Sequence, residues 1–373
     1  MSRAPDKPDP YDRIVARTLE KRIPFKLDWE LTYRCNERCV HCYQTGPTHE
    51  EELTTQEAYA VLDELAEAGA LYLTFTGGEI LMRDDFFDIA RYARRRGFAL
   101  RLFTNGTLID EPTADKIRDL SPLSVEISLY AANRDTHERI TRVAGSFGKT
   151  RRAFELLRER QVATVIKCTV TKMNVAEIQP LRELARSLGC RASFSFTVIP
   201  RVDLSTDILK LRLEGSEIRE VFERDDSFTR DIRYGGVPNY KPLCAAGFNS
   251  LYISPYAEVY PCVVLRESCG NFRTHTLSRM WDAPVFRKLR AVRFEDLTRC
   301  SACSEASYCD RCIGLAWMEK GSMYDISPHD CTLARVRREV VEDSGGRAPS
   351  PGDNGKDHHA KEKKKVPQAA NSL

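Results

Sequence analysis

The sequence contains no apolar run that approaches the ~18 residues needed to cross a bilayer, which argues against an integral membrane protein. Its first twelve residues are polar and lack the apolar core of a secretory signal. An excess of charge is also missing, because 57 basic and 54 acidic residues leave a formal net charge of +3. That near balance argues against a large nucleic-acid-binding surface. We therefore expect a cytoplasmic protein with no membrane and no nucleic-acid partner.

Cysteine, by contrast, is abundant, with 13 residues in a chain of 373. An odd number of cysteines without an export signal is not typical of a disulfide framework, and it indicates thiolate ligands for metal in a reducing compartment. Cys168 and Cys190 are isolated, and we expect both to be structural, because free cysteine often behaves as a small buried hydrophobe. The other cysteines form two groups, one near residue 40 and one between residues 244 and 331.

The chain up to about residue 215 alternates strand-like and helical patterns six times. The strand-like runs are Leu27–Tyr33, Leu71–Thr76, Ala99–Thr104, Leu123–Leu129, Thr164–Val170 and Arg191–Val198. Such repeats predict an α/β fold with parallel strands joined by right-handed crossovers. Periodicity alone does not distinguish a doubly wound sheet from a barrel, so both remain open at this point.

Composition also suggests how the chain is divided. We expect an N-terminal extension at 1–25, the strand–helix part at 26–215, a linker at 216–240, a Cys-rich part at 241–340 and a disordered tail at 341–373.

The first cysteine group is compact, with Cys35, Cys39 and Cys42 inside eight residues. Three thiolates can hold a small metal centre and leave one metal position open, whereas a saturated structural site supplies four ligands. From this loop alone, a zinc site completed by His41 or His49 is the alternative to an iron–sulfur cluster.

Further motifs follow the next three strands. Gly77, Gly78 and Glu79 follow the second strand, Asn105 follows the third, and Ser128 lies at the end of the fourth. In parallel α/β folds ligands bind beyond the carboxyl ends of the strands, so these motifs should converge on one mouth. The glycines let backbone approach a ligand closely, and the Glu79 carboxylate can accept hydrogen bonds from an ammonium group.

The motifs after the first two strands resemble those of a known enzyme family. Cys-x3-Cys-x2-Cys after the first strand, with Gly-Gly-Glu after the second, resembles the radical S-adenosylmethionine (SAM) superfamily over roughly residues 27–200. The resemblance implies a partial (β/α)6 barrel of the TIM type. It also implies reductive cleavage of SAM to a 5′-deoxyadenosyl radical that abstracts a substrate hydrogen, with the cofactor supplying the difficult chemistry.

The same resemblance implies roles for individual residues. Cys35, Cys39 and Cys42 would hold three irons of a [4Fe–4S] cluster, whose fourth iron chelates SAM. The residues implied to contact SAM are His41 near the adenine, Gly77, Gly78 and Glu79 at the methionine amine, Asn105 beside them, Ser128 at the ribose, and Arg139, or alternatively Arg142, at the carboxylate or ribose.

The second cysteine group begins with Cys244 and Cys262 and continues with a denser set. That set is Cys300-x2-Cys303-x5-Cys309-x2-Cys312, followed by Cys331. Spacing alone favours two structural zinc sites. The whole stretch, however, resembles the small SPASM domain that follows some radical SAM barrels, in Cys244-Ala-Ala-Gly, Val259-Tyr-Pro-Cys262 and Gly270-Asn271. The resemblance implies one or two auxiliary [4Fe–4S] clusters, the first on Cys244, Cys262 and Cys312, and the second on Cys300, Cys303, Cys309 and Cys331.

The chain departs from the SPASM pattern where a fourth ligand to the first auxiliary cluster can sit. No cysteine lies shortly before Cys244. Cys269 could substitute, or the site could stay open to substrate, and we favour the open site. Ala257 also replaces a usual glycine, and the gap between Cys309 and Cys312 is two residues where three is common.

The SPASM resemblance implies modification of a peptide or protein substrate, with a reductase or a flavodoxin- or ferredoxin-type protein as electron donor. Only 34 residues precede Cys35, so we expect a separate peptide-recognition protein or direct recognition by the barrel mouth. Val263 stands where formylglycine-forming enzymes tend to have Asp, which argues against that reaction. The alternatives are a tetrapyrrole or other small-molecule maturase, and a degenerate, non-catalytic metal-binding scaffold.

Overall fold

The structure, a computed structural model, describes residues 10–48, 50–230 and 243–345. Nine strands in these ranges form one sheet: β1 (Lys26–Glu30), β2 (Tyr72–Thr76), β3 (Ala99–Thr104), β4 (Ser124–Ser128), β5 (Thr164–Thr169), β6 (Arg191–Ser195), β7 (Ser250–Ile253), β8 (Glu258–Tyr260) and β9 (Gly270–Asn271).

The helices cover the outside of this sheet and build most of the C-terminal part. They are α1 (Pro10–Lys21), α2 (Thr55–Glu67), α3 (Phe86–Arg95), α4 (Glu111–Leu120), α5 (Arg134–Thr141), α6 (Ser146–Glu159), α7 (Ile178–Leu188), α8 (Gly215–Arg224), α9 (Ser227–Arg230), α10 (Leu277–Trp281), α11 (Pro284–Ala291), α12 (Thr298–Ser301), α13 (Ile313–Lys320) and α14 (Pro328–Asp343). None of the described helices is long and apolar enough to span a bilayer.

Strands β1 to β6 are all parallel and lie in chain order, β6-β5-β4-β3-β2-β1. A doubly wound sheet reverses its strand order at a switch point, so that alternative is wrong for this chain. The sheet also curves, because Asp28 on β1 interacts electrostatically with Glu126 on β4 and Lys167 on β5, three and four strands away. The predicted partial barrel is therefore confirmed.

Residues of the two strand faces have opposite character, because successive side chains of a strand point to opposite sides. Trp29 and Phe75 are fully buried in the core that the helices complete, with Leu62 and Leu65 of α2 among their neighbours in that core. The adjoining register row, which includes Asp28, faces the inside of the barrel. The sequence therefore places apolar packing outside the barrel and polar groups inside it.

The Cys-rich part continues the sheet of the barrel. Strand β7 pairs in parallel with β1, with Lys26 opposite Ser250 and Trp29 opposite Ile253. Strands β8 and β9 then add in antiparallel fashion. Because β1 pairs on both edges, with β2 and with β7, the Cys-rich part is joined to the barrel through one continuous sheet.

The segment 216–240, which we expected to be a linker, begins with a helix that packs against the rest of the chain. Helix α8 occupies its first part, and Ile218 and Phe222 are buried in one apolar cluster with Leu333 and Val336 of α14. Polar composition hid this packing because only one face of α8 is apolar. Residues 231–242, His49, and the N- and C-terminal segments 1–9 and 346–373 lie outside the described residues.

Candidate active site

The first cysteine group lies in the loop after β1. Burial raises the pKa of Cys35 to about 11, and the nearby charge of Cys42 contributes to the rise. Burial likewise raises the pKa of Cys39 well above its usual value, with Cys42 and Cys35 among the neighbouring charges. The Arg38 backbone N–H donates to the Thr141 carbonyl at 3.0 Å, which ties the loop to the end of α5. The three thiols therefore lie close enough to act on one another electrostatically, although the described residues contain no group of three such side chains in the arrangement of a single metal ion.

The Gly-Gly-Glu turn after β2 runs directly along this loop. The N–H of Gly78 donates to the Thr32 carbonyl at 2.7 Å, and the N–H of Glu79 donates to the Arg34 carbonyl at 2.8 Å. A Cβ on Gly77 would lie 2.3 Å from Thr32 O, and one on Gly78 would lie 2.2 Å from Arg34 O. The two glycines therefore make room for the backbone of the cysteine loop, and their predicted close approach to a ligand stays a prediction.

Glu79 is fully buried and ties two loops of the mouth together. Its carboxylate accepts from the Thr104 hydroxyl at 2.7 Å, the Asn105 backbone N–H at 2.7 Å and the Leu81 N–H at 3.1 Å. Burial raises the pKa of Glu79, and the Asn105 N–H opposes that rise because it stabilises the anion. Sequence reasoning assigned Glu79 only to an ammonium group and missed this structural role.

Asn105 lies on the cysteine side of the mouth. Its side-chain amide donates to the Asn36 side-chain oxygen at 2.7 Å and lies 4.0 Å from the Cys35 sulfur. The Asn36 amide in turn donates to the Thr107 hydroxyl at 2.8 Å. Asn105 therefore orients the cysteine loop, and an amide near a thiolate is one of the contacts that tune an iron–sulfur cluster.

His41 and Ser128 meet at a tyrosine that sequence reasoning missed. The ring of His41 packs edge-on against Tyr130, with centroids 4.6 Å apart. Burial lowers the pKa of His41 to about 4, so the imidazole is neutral at pH 7, and its Nδ1 is buried with no hydrogen-bond partner. The Ser128 hydroxyl hydrogen-bonds the buried Tyr130 phenol, whose pKa burial raises. Its position two residues after β4 is the signal that could have identified Tyr130 as a residue of the mouth.

The predicted arginines lie at the edge of the site. Arg139 is exposed on α5, and Arg142 is exposed just after the helix in the left-handed conformation, with φ 58°. The structure gives no contact that selects one of them, so the role of Arg139 stays a prediction.

Arg201, which follows β6, is a functional candidate that sequence reasoning missed. Its guanidinium donates to the Cys42 carbonyl at 2.7 Å and forms an ion pair with Asp207 at 2.8 Å. The Val202 N–H donates to the Tyr43 carbonyl at 2.9 Å. Burial raises the pKa of Cys42, and the Arg201 charge opposes that rise. The segment that follows β6, the last barrel strand, therefore contacts the cysteine loop that follows β1, the first.

The later cysteines fall into two spatial sets. In the first set, burial raises the pKa of Cys262 to about 11 and that of Cys312 to about 12, and the Cys244 charge acts on both. In the second set, burial is the main cause of the raised pKa values of Cys309, Cys303 and Cys331, and the charge of Cys300 raises each of them further. The two sets contain the same cysteines as the two clusters that the SPASM resemblance implies, and their roles as cluster ligands stay predictions.

Cys269 belongs to neither set. It is 7% exposed, and its thiol contacts the Glu267 carbonyl at 3.8 Å. Burial raises its pKa, and the charges that act on it are those of Glu267, Arg290 and Glu258, none of them a thiol. Among the described residues, therefore, the first set has three cysteines.

The barrel interior below the mouth is a charged chamber. Glu126 is shared by Arg101 at 3.3 Å and Lys167 at 3.2 Å, and these two cationic side chains are 47% and 40% exposed. Asp28 also contacts solvent, yet burial raises the pKa of its carboxyl. Each cation has only one carboxylate contact here, so N–H donors remain for an anionic ligand.

Two family models match the chain. Residues 29–185 match the radical SAM superfamily, and residues 244–304 match an iron-sulfur cluster-binding domain, SPASM. An AdoMet-dependent heme synthase from Methanosarcina barkeri is 31% identical over 346 residues, which cover 85% of this chain and 98% of the relative. This chain belongs to the radical SAM superfamily.

Other similarities agree with this membership. The mycofactocin maturase MftC from Mycobacterium ulcerans is 30% identical over 312 residues, covering 78% of this radical SAM enzyme and 82% of the relative. The solved structure of anSMEcpe with bound AdoMet and a Cp18Cys peptide superposes with a TM-score of 0.66 at 17% identity. It covers 86% of this chain and 97% of that chain. That likeness supports the fold.

The donor sets fit the cofactors of the superfamily, which are [4Fe–4S] clusters and SAM. Three neighbouring thiols are the donor set expected for a cluster with one iron left for SAM, and their assignment as its ligands stays a prediction. The unpartnered Nδ1 of His41 and the unpartnered Oε1 of Glu37 are buried polar atoms beside that position, as expected where a polar ligand completes the site. The match of residues 244–304 to an iron-sulfur cluster-binding domain disfavours the zinc alternative for the cysteines in that range.

Proposed function

We propose that Cys35, Cys39 and Cys42 hold the catalytic cluster and that the mouth of the barrel binds SAM. When bound, the cluster and SAM supply the one-electron cleavage that starts radical chemistry. The protein orients the site through the buried Glu79 carboxylate and the Asn105 amide. The rings of Tyr130 and neutral His41 provide an aromatic wall for an adenine ring.

We further propose that Cys244, Cys262 and Cys312 hold a first auxiliary cluster with an open position, and that Cys300, Cys303, Cys309 and Cys331 hold a second. The position of Cys269 outside the first set supports the open site. An electron donor of the flavodoxin or ferredoxin type, and a cytoplasmic location, remain part of this proposal.

The substrate class rests on one observation, the match to a heme synthase over 98% of that relative's length. We therefore place a carboxylate-bearing tetrapyrrole first, ahead of the peptide that the SPASM resemblance favoured. The chamber is compatible with it, since Arg101 and Lys167 present free N–H donors and carboxylates are good partners for them. A peptide or protein substrate, with or without a recognition protein, is the second candidate, and the likeness to MftC supports it.

The test uses anaerobically purified protein with SAM, a chemical reductant and Fe-coproporphyrin III, a tetrapyrrole with four propionate side chains. The tetrapyrrole proposal predicts a Soret shift on mixing and consumption of porphyrin together with 5′-deoxyadenosine formation. Its tetramethyl ester is the matched control, because it lacks the carboxylates. No shift and no porphyrin consumption, with 5′-deoxyadenosine formed only alongside peptides, would reverse the order of the two candidates.

A further inference from the structure

The side chain of Arg266 is enclosed by groups from both halves of the molecule. Its Nη2 forms an ion pair with Glu30 at 2.9 Å, its Nη1 donates to the Tyr33 hydroxyl at 2.8 Å, and its Nε donates to the Val263 carbonyl at 3.1 Å. The arginine side chain is 10% exposed and the Glu30 side chain is 0% exposed. All three types of guanidinium nitrogen are therefore engaged, which fixes the orientation of the group.

Aromatic faces complete the enclosure. The guanidinium carbon lies over the rings of Tyr43, Tyr252 and Tyr260, with distances of 5.8, 5.3 and 5.7 Å to the centroids. Three rings around one buried cation make a cation–π cage. This cage lies where the loop after β1 meets β7 and β8.

The ion pair connects one ligand loop of each cluster site. On the barrel side, Glu30 accepts from the Tyr43 hydroxyl at 2.9 Å and from the Gln44 side-chain amide, and these residues directly follow Cys42. On the other side, Arg266 lies four residues after Cys262 in a compact loop. The Leu265 N–H in that loop donates to the Cys262 sulfur at 3.3 Å. A shift of the Cys262 loop would therefore displace Glu30 through Arg266. A shift of the Cys42–Gln44 segment would likewise displace Arg266 through Glu30.

Stability alone does not account for this pair. Removing two charges from water is costly, and well-packed apolar residues often serve stability as well as a buried ion pair does. A buried ion pair whose donors and acceptors are all engaged holds the two segments that carry it in a single relative position.

We propose that Arg266 is a positioning residue that couples the first auxiliary site to the catalytic site. Through Glu30 it holds the Cys262 loop against Cys42–Gln44, so that filling of the auxiliary site alters the SAM-binding cluster. The inference rests on the assignment of Cys42 and Cys262 to two different clusters.

The chain offers a matched control. Arg273, near β9, forms an ion pair with Glu57 of α2 at 2.7 Å, with side chains 33% and 36% exposed. This pair also joins the Cys-rich part to the barrel, and it involves neither Cys42 nor Cys262 nor their loops. Arg273→Met therefore removes a link between the same two parts while leaving the cage intact.

The experiment titrates SAM into the reduced, iron-loaded protein and follows the change in the electron paramagnetic resonance spectrum of the cluster that responds to SAM. We expect Arg266→Met to raise the half-maximal SAM concentration about 10-fold with the iron content retained, as is common when a residue supporting metal ligands is lost. Arg273→Met should leave it unchanged.

A double-variant cycle then isolates the coupling. Cys262→Ala, which leaves no donor atom, should also weaken SAM binding, and adding it to Arg266→Met should produce no further effect, because both changes break the same connection. Additive effects, or a SAM titration indifferent to Arg266→Met, would overturn the proposal. If Cys262→Ala keeps all its iron, the cluster assignment itself fails.

Arg266→Lys and Tyr33→Phe keep the proposal testable if Arg266→Met does not fold. Lysine retains the charge opposite Glu30 but cannot also reach Tyr33 and Val263 in the fixed fork geometry of arginine. We expect an intermediate shift in the SAM titration for Arg266→Lys and a smaller one for Tyr33→Phe. Titrations of both variants that match the unaltered protein would contradict coupling through Arg266.

Discussion

The backbone N–H of Glu79 donates to the carbonyl of Arg34 at 2.8 Å, and a Cβ on the preceding Gly78 would lie 2.2 Å from that same oxygen. The cysteine loop and the Gly-Gly-Glu turn are thus in backbone contact. Neither side has a flexible side chain that could move aside. The turn therefore requires glycine to position the cysteine loop.

We expect Gly78→Ala to lower the free energy of unfolding by about 1–3 kcal/mol, the usual range for added atoms in a packed site. SAM binding should be lost as well, because the loop must shift. Thermal unfolding and SAM binding of the anaerobic protein measure both. Gly148→Ala in α6 is the control, since its Cβ would meet no atom within 4 Å, and it should stabilise by up to about 1 kcal/mol. Equal behaviour of the two variants would show that the contact is unimportant.

Cys42→Ala should abolish 5′-deoxyadenosine formation and leave the auxiliary clusters in place. The physical reason is that Cys42 belongs to the first thiol group, separate from the two later sets. Iron per chain should fall by about four atoms, one cluster's worth. Persistent SAM cleavage in this variant would mean that the catalytic loop has been assigned wrongly.

Cys269→Ala should retain the full iron content, because no cysteine charge acts on the Cys269 thiol. Cys244→Ala, by contrast, should lose about four irons, since Cys244 lies with Cys262 and Cys312. Iron and acid-labile sulfide on the two proteins, purified in parallel without oxygen, give the comparison. Iron loss in Cys269→Ala would argue for four cysteine ligands and against the open site.

Acidification should destabilise the protein through buried His137. Burial lowers its pKa to about 4, and its Nδ1 accepts from the Tyr130 N–H at 3.2 Å. Between about pH 6.5 and pH 4 the unfolded chain takes up a proton that the folded protein does not, so stability falls as the pH falls. In His137→Gln, whose amide oxygen can still accept from Tyr130, this loss should be smaller. Midpoints of thermal unfolding across that range test it. A constant difference between the two proteins would exclude His137 as a source of the pH dependence.

Much of the catalytic half could be predicted because its signals are local. Six strand–helix repeats and two short motifs each occupy a few consecutive residues, and parallel strands bring their carboxyl ends together in any barrel. The observed strands β3 and β5 begin at the residues predicted, Ala99 and Thr164. The same reasoning could not choose between a barrel and a doubly wound sheet, because strand order is a property of the whole sheet.

Long-range contacts were beyond sequence reasoning. Arg201 binds the Cys42 carbonyl across 159 residues, and Arg266 binds Glu30 across 236. Neither arginine lies in a motif, and surface arginines are common in this chain. The packing of α8 on α14 was missed for a related reason. The sequence of α8 is mostly polar, and the importance of its single apolar face becomes clear only once the helix that it packs against is known.

The sequence by itself determined the kind of chemistry through the resemblance of its Cys-x3-Cys-x2-Cys and Gly-Gly-Glu motifs to the radical SAM superfamily, since the number and spacing of the thiolates alone left zinc open. It also determined the strand–helix alternation. The tertiary structure decided which cysteines group together, that Cys269 stands apart, and that β7 pairs with β1 to join the Cys-rich part to the barrel. Those outcomes depend on which distant segments pack against each other, and that is set by the packing of the whole chain rather than by any local pattern.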